Sequence, residues 1–600
     1  MDLNKFIKIA CILYISLYIY SLLLALNSPS IGYESSIYYK TPLQVWVILF
    51  LGIIIGVLLV IHQIVAKKLD TYVWILGLFL IILSNTTALS MHIIRGYTLW
   101  DAMGDPGAHL SMIQDILLLG HVDYKDFYPI THIYLSQFSQ VIGIDPTIPM
   151  KLFPLIFYEI YILFIYMMSR FLLLEKGQII FATLAGTPLI HGWYLSLSPN
   201  LLSNLAFPLF LYVFLKSYYT SALGFKIVFL FFIFLYPPFH PVPCIVFIII
   251  VILIQYNIFE NRSRSTSIAP NFFTSGSLLL IIFCIAWISS FGIWSATIEN
   301  LNSLITEKAP SALVSINEKI TYADTHGFNV KEYFLKVYGA FLLYLLASIF
   351  TLPLFLLRKE KYFNASKILN LYICILAFAT IMAIMLFANL PFGPTRLLIY
   401  MLILCIVLVG FAGNELFNSS YMELNWFKKI VPMVIAFILI TISTNGVLCI
   451  YPSPYTFDIN MQTTANELNG IYWLFHNKDV NISYTSWYFT PSVFSAFLLK
   501  PEERTGRKDL TKYASIPFPY HFGYDKNSTL GNYYDKDRYL VIIPMIKSVY
   551  IDTYPNLAKI RLLNGDFETL GNDPNVDKLF HSGSLDIWYI HHKNSGFEIK

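Results

Sequence analysis

Charge is scarce in this chain. Only 13% of its 600 residues are Asp, Glu, Lys or Arg, about half the share found in an ordinary soluble protein. A water-exposed surface over most of the chain is therefore excluded. The net charge of +4 is small and dispersed, which argues against a nucleic-acid partner. Cysteine is also sparse. Cys11, Cys244, Cys284, Cys374, Cys405 and Cys449 all fall in hydrophobic stretches without C-x-x-C spacing, so neither a zinc site nor a disulfide framework is expected. They read as small apolar packing residues. Fixed-period repeats, low-complexity tracts and a glycine-rich nucleotide fingerprint are all missing.

What the chain has is hydrophobicity: 56% of residues and a mean hydropathy of +0.62. Apolar runs of roughly 18–20 residues cross a bilayer as helix. Candidate spans lie at 6–26, 43–66, 71–94, 150–174, 177–195, 200–218, 224–240, 241–257, 275–297, 334–357, 368–389, 394–412 and 429–451. This predicts a polytopic α-helical membrane protein of about 13 spans. The pair flanking Tyr236-Pro237-Pro238-Phe239-His240-Pro241 also reads as one long broken helix, because proline interrupts the backbone ladder.

Lys and Arg in short loops set orientation. Lys5, Lys8, Lys67, Lys68, Arg170, Lys176, Lys216, Lys226, Arg262, Arg264, Arg358, Lys359, Lys361, Lys428 and Lys429 all fall on one side. Loops 27–42, 196–199 and 390–393 hold only Lys40. The expectation is a multi-pass protein of the plasma membrane with a cytoplasmic N-terminus. Its first span resembles a signal peptide but is long and lacks a clear A-x-A site, so it reads as a retained anchor.

Two domains are expected. Residues 1–451 form the membrane domain, with outer loops 95–149 and 298–333. Residues 452–600 form an extracytoplasmic α/β domain, where charge returns as 15 Lys/Arg against 16 Asp/Glu. Within it Thr463–His476 reads as a helix with Leu468, Ile471, Tyr472 and Phe475 on one face. Arg538–Pro544 reads as a buried strand, and Lys578–His591 as a hairpin turning at Ser582-Gly583-Ser584. Sequons occur at Asn481-Ile482-Ser483 and Asn527-Ser528-Thr529.

The loop after the third span carries the chemistry. It begins Trp100-Asp101-Ala102-Met103-Gly104-Asp105-Pro106-Gly107-Ala108-His109 and continues through Phe127-Tyr128-Pro129 to His132. Polar groups at the membrane edge cost free energy and tend to mark sites. Asp105 as N-cap before Pro106 predicts a helix start, with a helix running to Leu119 and stopping at Gly120. Ala108, Met112, Ile113, Ile116 and Leu117 would face the interface, and Asp105 and His109, four apart, would share one face. The alternative is that Asp105 only caps a helix.

An acid after an early span, an amphipathic helix ending in Gly and an aromatic-Pro element leading back to the membrane resemble the first outer loop of the GT-C glycosyltransferases. These polyprenyl-phosphate-dependent membrane enzymes include protein O-mannosyltransferases, aminoarabinose transferases and oligosaccharyltransferases. The chain departs from their pattern by having Asp105-Pro106 in place of an adjacent Asp-Glu pair, and two spans before the one entering the loop. The resemblance implies transfer of a sugar, with inversion, from a polyprenyl- or dolichyl-phosphate carrier to an acceptor protein, lipid or glycan. It implies Asp105 as catalytic base, with Asp101 the second choice and His109 beside them. Arg396, in Pro391-Phe392-Gly393-Pro394-Thr395-Arg396, would grip the carrier phosphate; the alternative is an arginine snorkelling at a helix end.

His132, Glu159, His191 and His240 are candidates for lining the substrate cavity. Asp101, Asp105, His109 and His132 carry donors suited to Mn²⁺ or Mg²⁺, although many enzymes of this type use no metal. Glu159, mid-span, is expected to face the bundle interior. It supports the rival reading, a transporter or lipid flippase with Glu159 in its path, for which no inverted repeat is visible.

Overall fold

The computed structural model describes residues 3–592 except 67–68, 191–193, 221, 264–273, 293, 296–297, 300–301, 303–311, 326–327, 359–364, 388–392, 419–424, 512–513, 527–528, 555, 557–558 and 560. Among the described residues nine helices are long and apolar enough to cross a membrane. They are Leu3–Leu26, Leu43–Val65, Thr71–Leu89, Thr147–Leu172, Pro199–Tyr219, Val330–Arg358, Ala365–Phe387, Leu398–Asn418 and Asn425–Leu448. Three further apolar helices, Leu223–Phe239, Pro241–Asn257 and Ser275–Ser289, are shorter. The protein is a multi-pass helical membrane protein. Leu398–Asn418 is the central helix, buried along nearly its whole described length. His240 alone separates two helices, its backbone extended at φ −166°.

The expected span at 177–195 is not one helix. Lys176–Ala185 is helical and Gly186 caps it; Thr187-Pro188-Leu189-Ile190 then continues as buried irregular chain. Backbone of this kind survives at membrane depth only where protein satisfies its polar groups. Here Asn85 Nδ2 and the Tyr158 hydroxyl both donate to the Thr187 carbonyl, at 2.9 and 2.8 Å. The Tyr344 hydroxyl donates to the Ala185 carbonyl at 2.6 Å. Hydropathy sees the apolar run but not the three side chains that permit its break.

A five-stranded sheet lies in the C-terminal part, in the order Ser515–Ile516, Ser483–Thr485, Arg538–Ile542, Asp586–Ile590, Val576–His581. The first three strands are parallel, and Asp586–Ile590 pairs antiparallel with both its neighbours. Arg538–Ile542 is the buried middle strand, and the hairpin turns through Gly583 at φ 82°. The preceding helix runs Ala465–Asn477, capped by reciprocal Thr464 and Glu467 bonds. It buries Glu467, Gly470, Ile471, Leu474 and Phe475, whereas Tyr472 faces outward. The expected stripe was therefore displaced by a position toward Glu467.

This region is stitched to the loop that follows helix Thr71–Leu89. Leu99–Trp100 pairs antiparallel with Gln462–Thr463. Below that pair, Arg95 grips Glu34 through two bonds of 2.7 Å, and Tyr97 donates to the same carboxylate. Asn460 and Gln462 satisfy the backbone of Gly32 and Glu34, and Gln462 also donates to the Ser30 hydroxyl. A buried ion pair is stable only when its remaining polar valences are met, and here they are.

Candidate active site

The turn from Trp100 to Gly107 places the two acids. Asp101 sits in the left-handed region at φ 54°, held by its N–H to the Met461 carbonyl at 2.8 Å. Its carboxylate lies against Gly104, where an added Cβ would come within 2.5 Å of Oδ1. At Gly107 an added Cβ would meet the Ala102 carbonyl oxygen at 2.0 Å. Both glycines are there for close approach.

The helix runs Asp105–Leu119 and ends at Gly120, as expected. Its N-cap, however, is Gly104, with no side-chain cap bond. Asp105 occupies the first helical position and is exposed, so the capping role proposed for it is not realised. The buried face also differs from the expected apolar stripe: it consists of Pro106, Gly107, His109, Leu110, Ser111 and Ile113. The helix packs on Pro491–Leu498 of the sheet-bearing region, and of the expected stripe only Ile113 is buried. Arg504 fastens its far side through Asp115 at 2.6 Å.

Behind that helix lies a hydrogen-bonded chain that spacing did not foretell. Asp126 Oδ2 is 2.6 Å from His132 Nδ1, and His132 Nε2 is 2.9 Å from His109 Nδ1. All three are buried. A carboxylate only accepts, so His132 Nδ1 carries a proton. Donation by His109 Nδ1–H to His132 Nε2 leaves a lone pair on His109 Nε2. Burial, then His132 and His240 close by, pushes the His109 pKa down to about 3, so this ring is neutral near pH 7.

Tyr128 joins this chain to the bundle. Its ring stacks on His240 with centroids 5.4 Å apart and meets the edge of His109 at 6.0 Å. The Trp287 indole N–H holds the neighbouring Phe127 carbonyl at 2.8 Å. Burial, and after it the charges of Asp126 and then Asp105, raise the Tyr128 phenol above its usual range. On the other side, Arg396 acts electrostatically on His240. Arg396 itself is exposed, in the 3₁₀ turn Pro394–Leu397 that leads into the central helix. Tyr128 and His240 thus stack against His109, His132 and Asp126, with the charges of Asp105 and Arg396 felt at Tyr128 and His240 respectively.

Asp101 turns elsewhere. It and Asp458 line a cavity of about 210 Å³ with Tyr333, Ser196 and Cys449. Burial, and after it the charge of Asp105, pushes the Asp101 carboxyl up to about 7, against a bond from the Gly104 N–H. Burial raises Asp458 as well. Neither Asp126 nor Asp458 was singled out from the sequence. Asp126 acts from an irregular loop, and Asp458 lies over 350 residues from its neighbour.

Two expected residues stand apart. Glu159 does not face the bundle interior; it is exposed and accepts a 3.1 Å bond from the Thr86 hydroxyl. Burying Tyr158 against Asn85 turns the next residue outward. His191 lies outside the described residues, as do Asn527 and Ser528 of the second sequon. The metal set expected from Asp101, Asp105 and His109 is not assembled, and no group of three His, Cys, Asp or Glu suited to a metal occurs among the described residues. One helix face cannot serve both residues: Asp105 is exposed, His109 is buried with Nδ1 engaged, and Asp101 faces the Asp458 cavity.

No protein-family model matches the chain, and no curated protein matches it. Among solved structures, it is similar to the apo oligosaccharyltransferase of Archaeoglobus fulgidus, with a TM-score of 0.48 and 11% identity over 82% of this chain and 71% of that one. It is also similar to AglB from Archaeoglobus fulgidus in complex with an inhibitory peptide and a dolichol-phosphate (TM-score 0.45, 11% identity, 79% and 71% covered). A third is ArnT from Cupriavidus metallidurans bound to undecaprenyl phosphate (TM-score 0.44, 11% identity, 86% and 98% covered). At this distance the chemistry of the site rests on the chain's own side chains.

Proposed function

We propose that the chain is a GT-C type membrane glycosyltransferase that moves a sugar from a polyprenyl- or dolichyl-phosphate carrier to an acceptor on the outer face. The observation that carries this reading is the Tyr128–His240 stack, with an exposed carboxylate, Asp105, near Tyr128 and an exposed guanidinium, Arg396, near His240. In this reading the carrier's tail stays among the helices and its phosphate meets Arg396. Asp105 takes the proton from the acceptor nucleophile as that atom bonds to the anomeric carbon. The bond from that carbon to the phosphate oxygen breaks on the opposite face, its electron pair leaves with the phosphate, and configuration inverts.

General-base catalysis supplies roughly 10²–10⁴-fold. Arg396 adds charge stabilisation that grows as the phosphate departs. His109 accepts a hydrogen bond from a sugar or acceptor hydroxyl at Nε2, and Asp101 is the second acid of the site. The division at residue 451, an N-terminus in the cytoplasm and residues 452–600 outside belong to the same reading. Glu159, on an outward face, gives the transporter reading no path between helices.

Native mass spectrometry of gently purified protein tests the donor. A co-purifying polyprenyl phosphate or its glycosylated form is expected, retained less by Arg396→Ala. Bulk phospholipid alone, with added carrier also failing to bind, would sink the proposal.

A further inference from the structure

A second, larger cavity of about 650 Å³ opens in the sheet-bearing region, apart from the group around Asp105. Its size is that of a small-ligand site. Aromatic rings dominate the walls. Trp487 stacks on Phe518 with centroids 4.5 Å apart at 15°, and Tyr520 presents its edge to Trp487 at 6.0 Å. Tyr488, Tyr520 and Tyr533 are 45%, 48% and 50% exposed, so broad ring surface stays open to water rather than joining the core.

One cation sits among these rings. Arg561 lies over Tyr520 at 5.5 Å and Trp487 at 5.9 Å, with its guanidinium hydrogen-bonded to the Tyr550 hydroxyl at 3.2 Å and the Tyr322 hydroxyl at 3.4 Å. No carboxylate of the described residues pairs with it. Asp525 and Lys526 at the rim cancel one another, leaving the cavity one net positive charge from Arg561. An arginine held flat by stacking and two hydroxyls is preorganised for a carboxylate.

Backbone strain marks the same walls. Among the described residues the non-glycine residues with left-handed φ are Asp101, Phe457, Tyr488, His521 and Phe522. Asp101 and Phe457 flank the Asp101–Asp458 cavity. The other three form the aromatic cavity's rim and the turn that closes it. Such strain persists where surrounding structure imposes it and clusters at binding sites.

We infer that this cavity binds a glycan bearing an acidic sugar, with pyranose faces on Trp487 and Tyr520 and the uronate carboxylate on Arg561. Flat aromatic faces receive the C–H side of a sugar ring, tyrosine hydroxyls meet its hydroxyls, and the unpaired guanidinium selects the acid. This goes beyond the transfer reading and is measured without turnover, so the two fail separately.

The test titrates the full-length protein in nanodiscs with a trigalacturonate and a neutral galactotriose, following Trp fluorescence and heat. The trigalacturonate is expected to bind about 10- to 100-fold tighter than the neutral sugar. Arg561→Gln should remove that difference and leave neutral binding in place, whereas Trp487→Ala should weaken both. Tyr520→Ala, a half-exposed position, gives the same answer if Trp487→Ala fails to fold. Absence of binding by either sugar overturns the inference. So does acidic-sugar binding that inorganic sulfate displaces fully and that Trp487→Ala and Tyr520→Ala leave unchanged.

Discussion

Asp126→Asn separates the tautomer chain from the fold. In the native site Asp126 accepts from His132 Nδ1 at 2.6 Å and from the Tyr128 backbone N–H at 3.2 Å. Asn keeps the second bond through Oδ1 and offers its amide to His132 Nδ1. The number of hydrogen bonds is unchanged, but a charge-assisted one becomes neutral. That difference is about 1–2 kcal/mol, so thermal unfolding should shift by a few degrees at most. Asp126→Ala instead leaves two buried donors unpaired, at roughly 1–3 kcal/mol each, and should be visibly less stable.

The functional effect of Asp126→Asn runs through the tautomers. An amide donating to His132 Nδ1 moves that ring's proton to Nε2, which in turn donates to His109 Nδ1. The His109 proton then moves to Nε2, and the acceptor proposed to meet a substrate hydroxyl becomes a donor. A hydroxyl that used that lone pair loses its partner, at about 1–3 kcal/mol. In kcat/KM this is about 5- to 150-fold, read by transfer from a lipid-linked sugar in detergent. Adding His109→Ala to Asp126→Asn should then cost little more than either alone, since both remove one interaction. Wild-type transfer by Asp126→Asn, or full additivity in the double variant, would refute the relay.

Asp105→Asn should lower turnover by roughly 10²–10⁴-fold with an unchanged unfolding midpoint, because this side chain forms no cap; an unchanged rate removes it as base. Asp101, with its carboxyl pushed up to about 7, holds a proton in the folded state that the unfolded chain sheds near pH 4. Stability from this group is complete below about pH 4 and lost as pH rises toward 7. Asp101→Asn should therefore gain midpoint over wild type at pH 8 relative to pH 5, and a pH-independent gap would contradict the assignment. Burial pushes Glu467 up to about 8, against its bond from the Thr464 N–H, so the same sign holds over about pH 4.5 to 8. Glu467→Gln should be stabilising at pH 9 and neutral at pH 4, as circular-dichroism melts would show.

Local pattern was legible where local pattern decides. The loop helix ends at Leu119 because periodicity and Gly120 meet there, and the hairpin turns at Gly583 because its flanks alternate. Long apolar runs became helices wherever the backbone could close its own hydrogen bonds. The stretch after Ala185 escaped, since Asn85, Tyr158 and Tyr344 satisfy it from other helices. Glu159 escaped for a related reason: which face of a helix turns inward depends on its neighbours. In the site, Asp105, His109, His132, His240 and Arg396 were visible as polar residues in apolar surroundings. Asp126 was not, because its partnership with His132 follows no helical or strand period.

The conformation of the Asp101 turn is imposed from the far end of the chain. A left-handed backbone at a non-glycine residue costs on the order of 1–3 kcal/mol, so local sequence would not choose it. What holds it is the Met461 carbonyl and the pairing of Leu99–Trp100 with Gln462–Thr463. Those residues are in turn fixed by the Arg95–Glu34 pair, whose carboxylate also receives Tyr97. Three segments distant in sequence (30–34, 95–101 and 458–463) thus fold as one buried unit. The Asp101 turn takes this conformation only when all three are in place, so the loop after the third long helix and the region that follows the last one fold as a single unit.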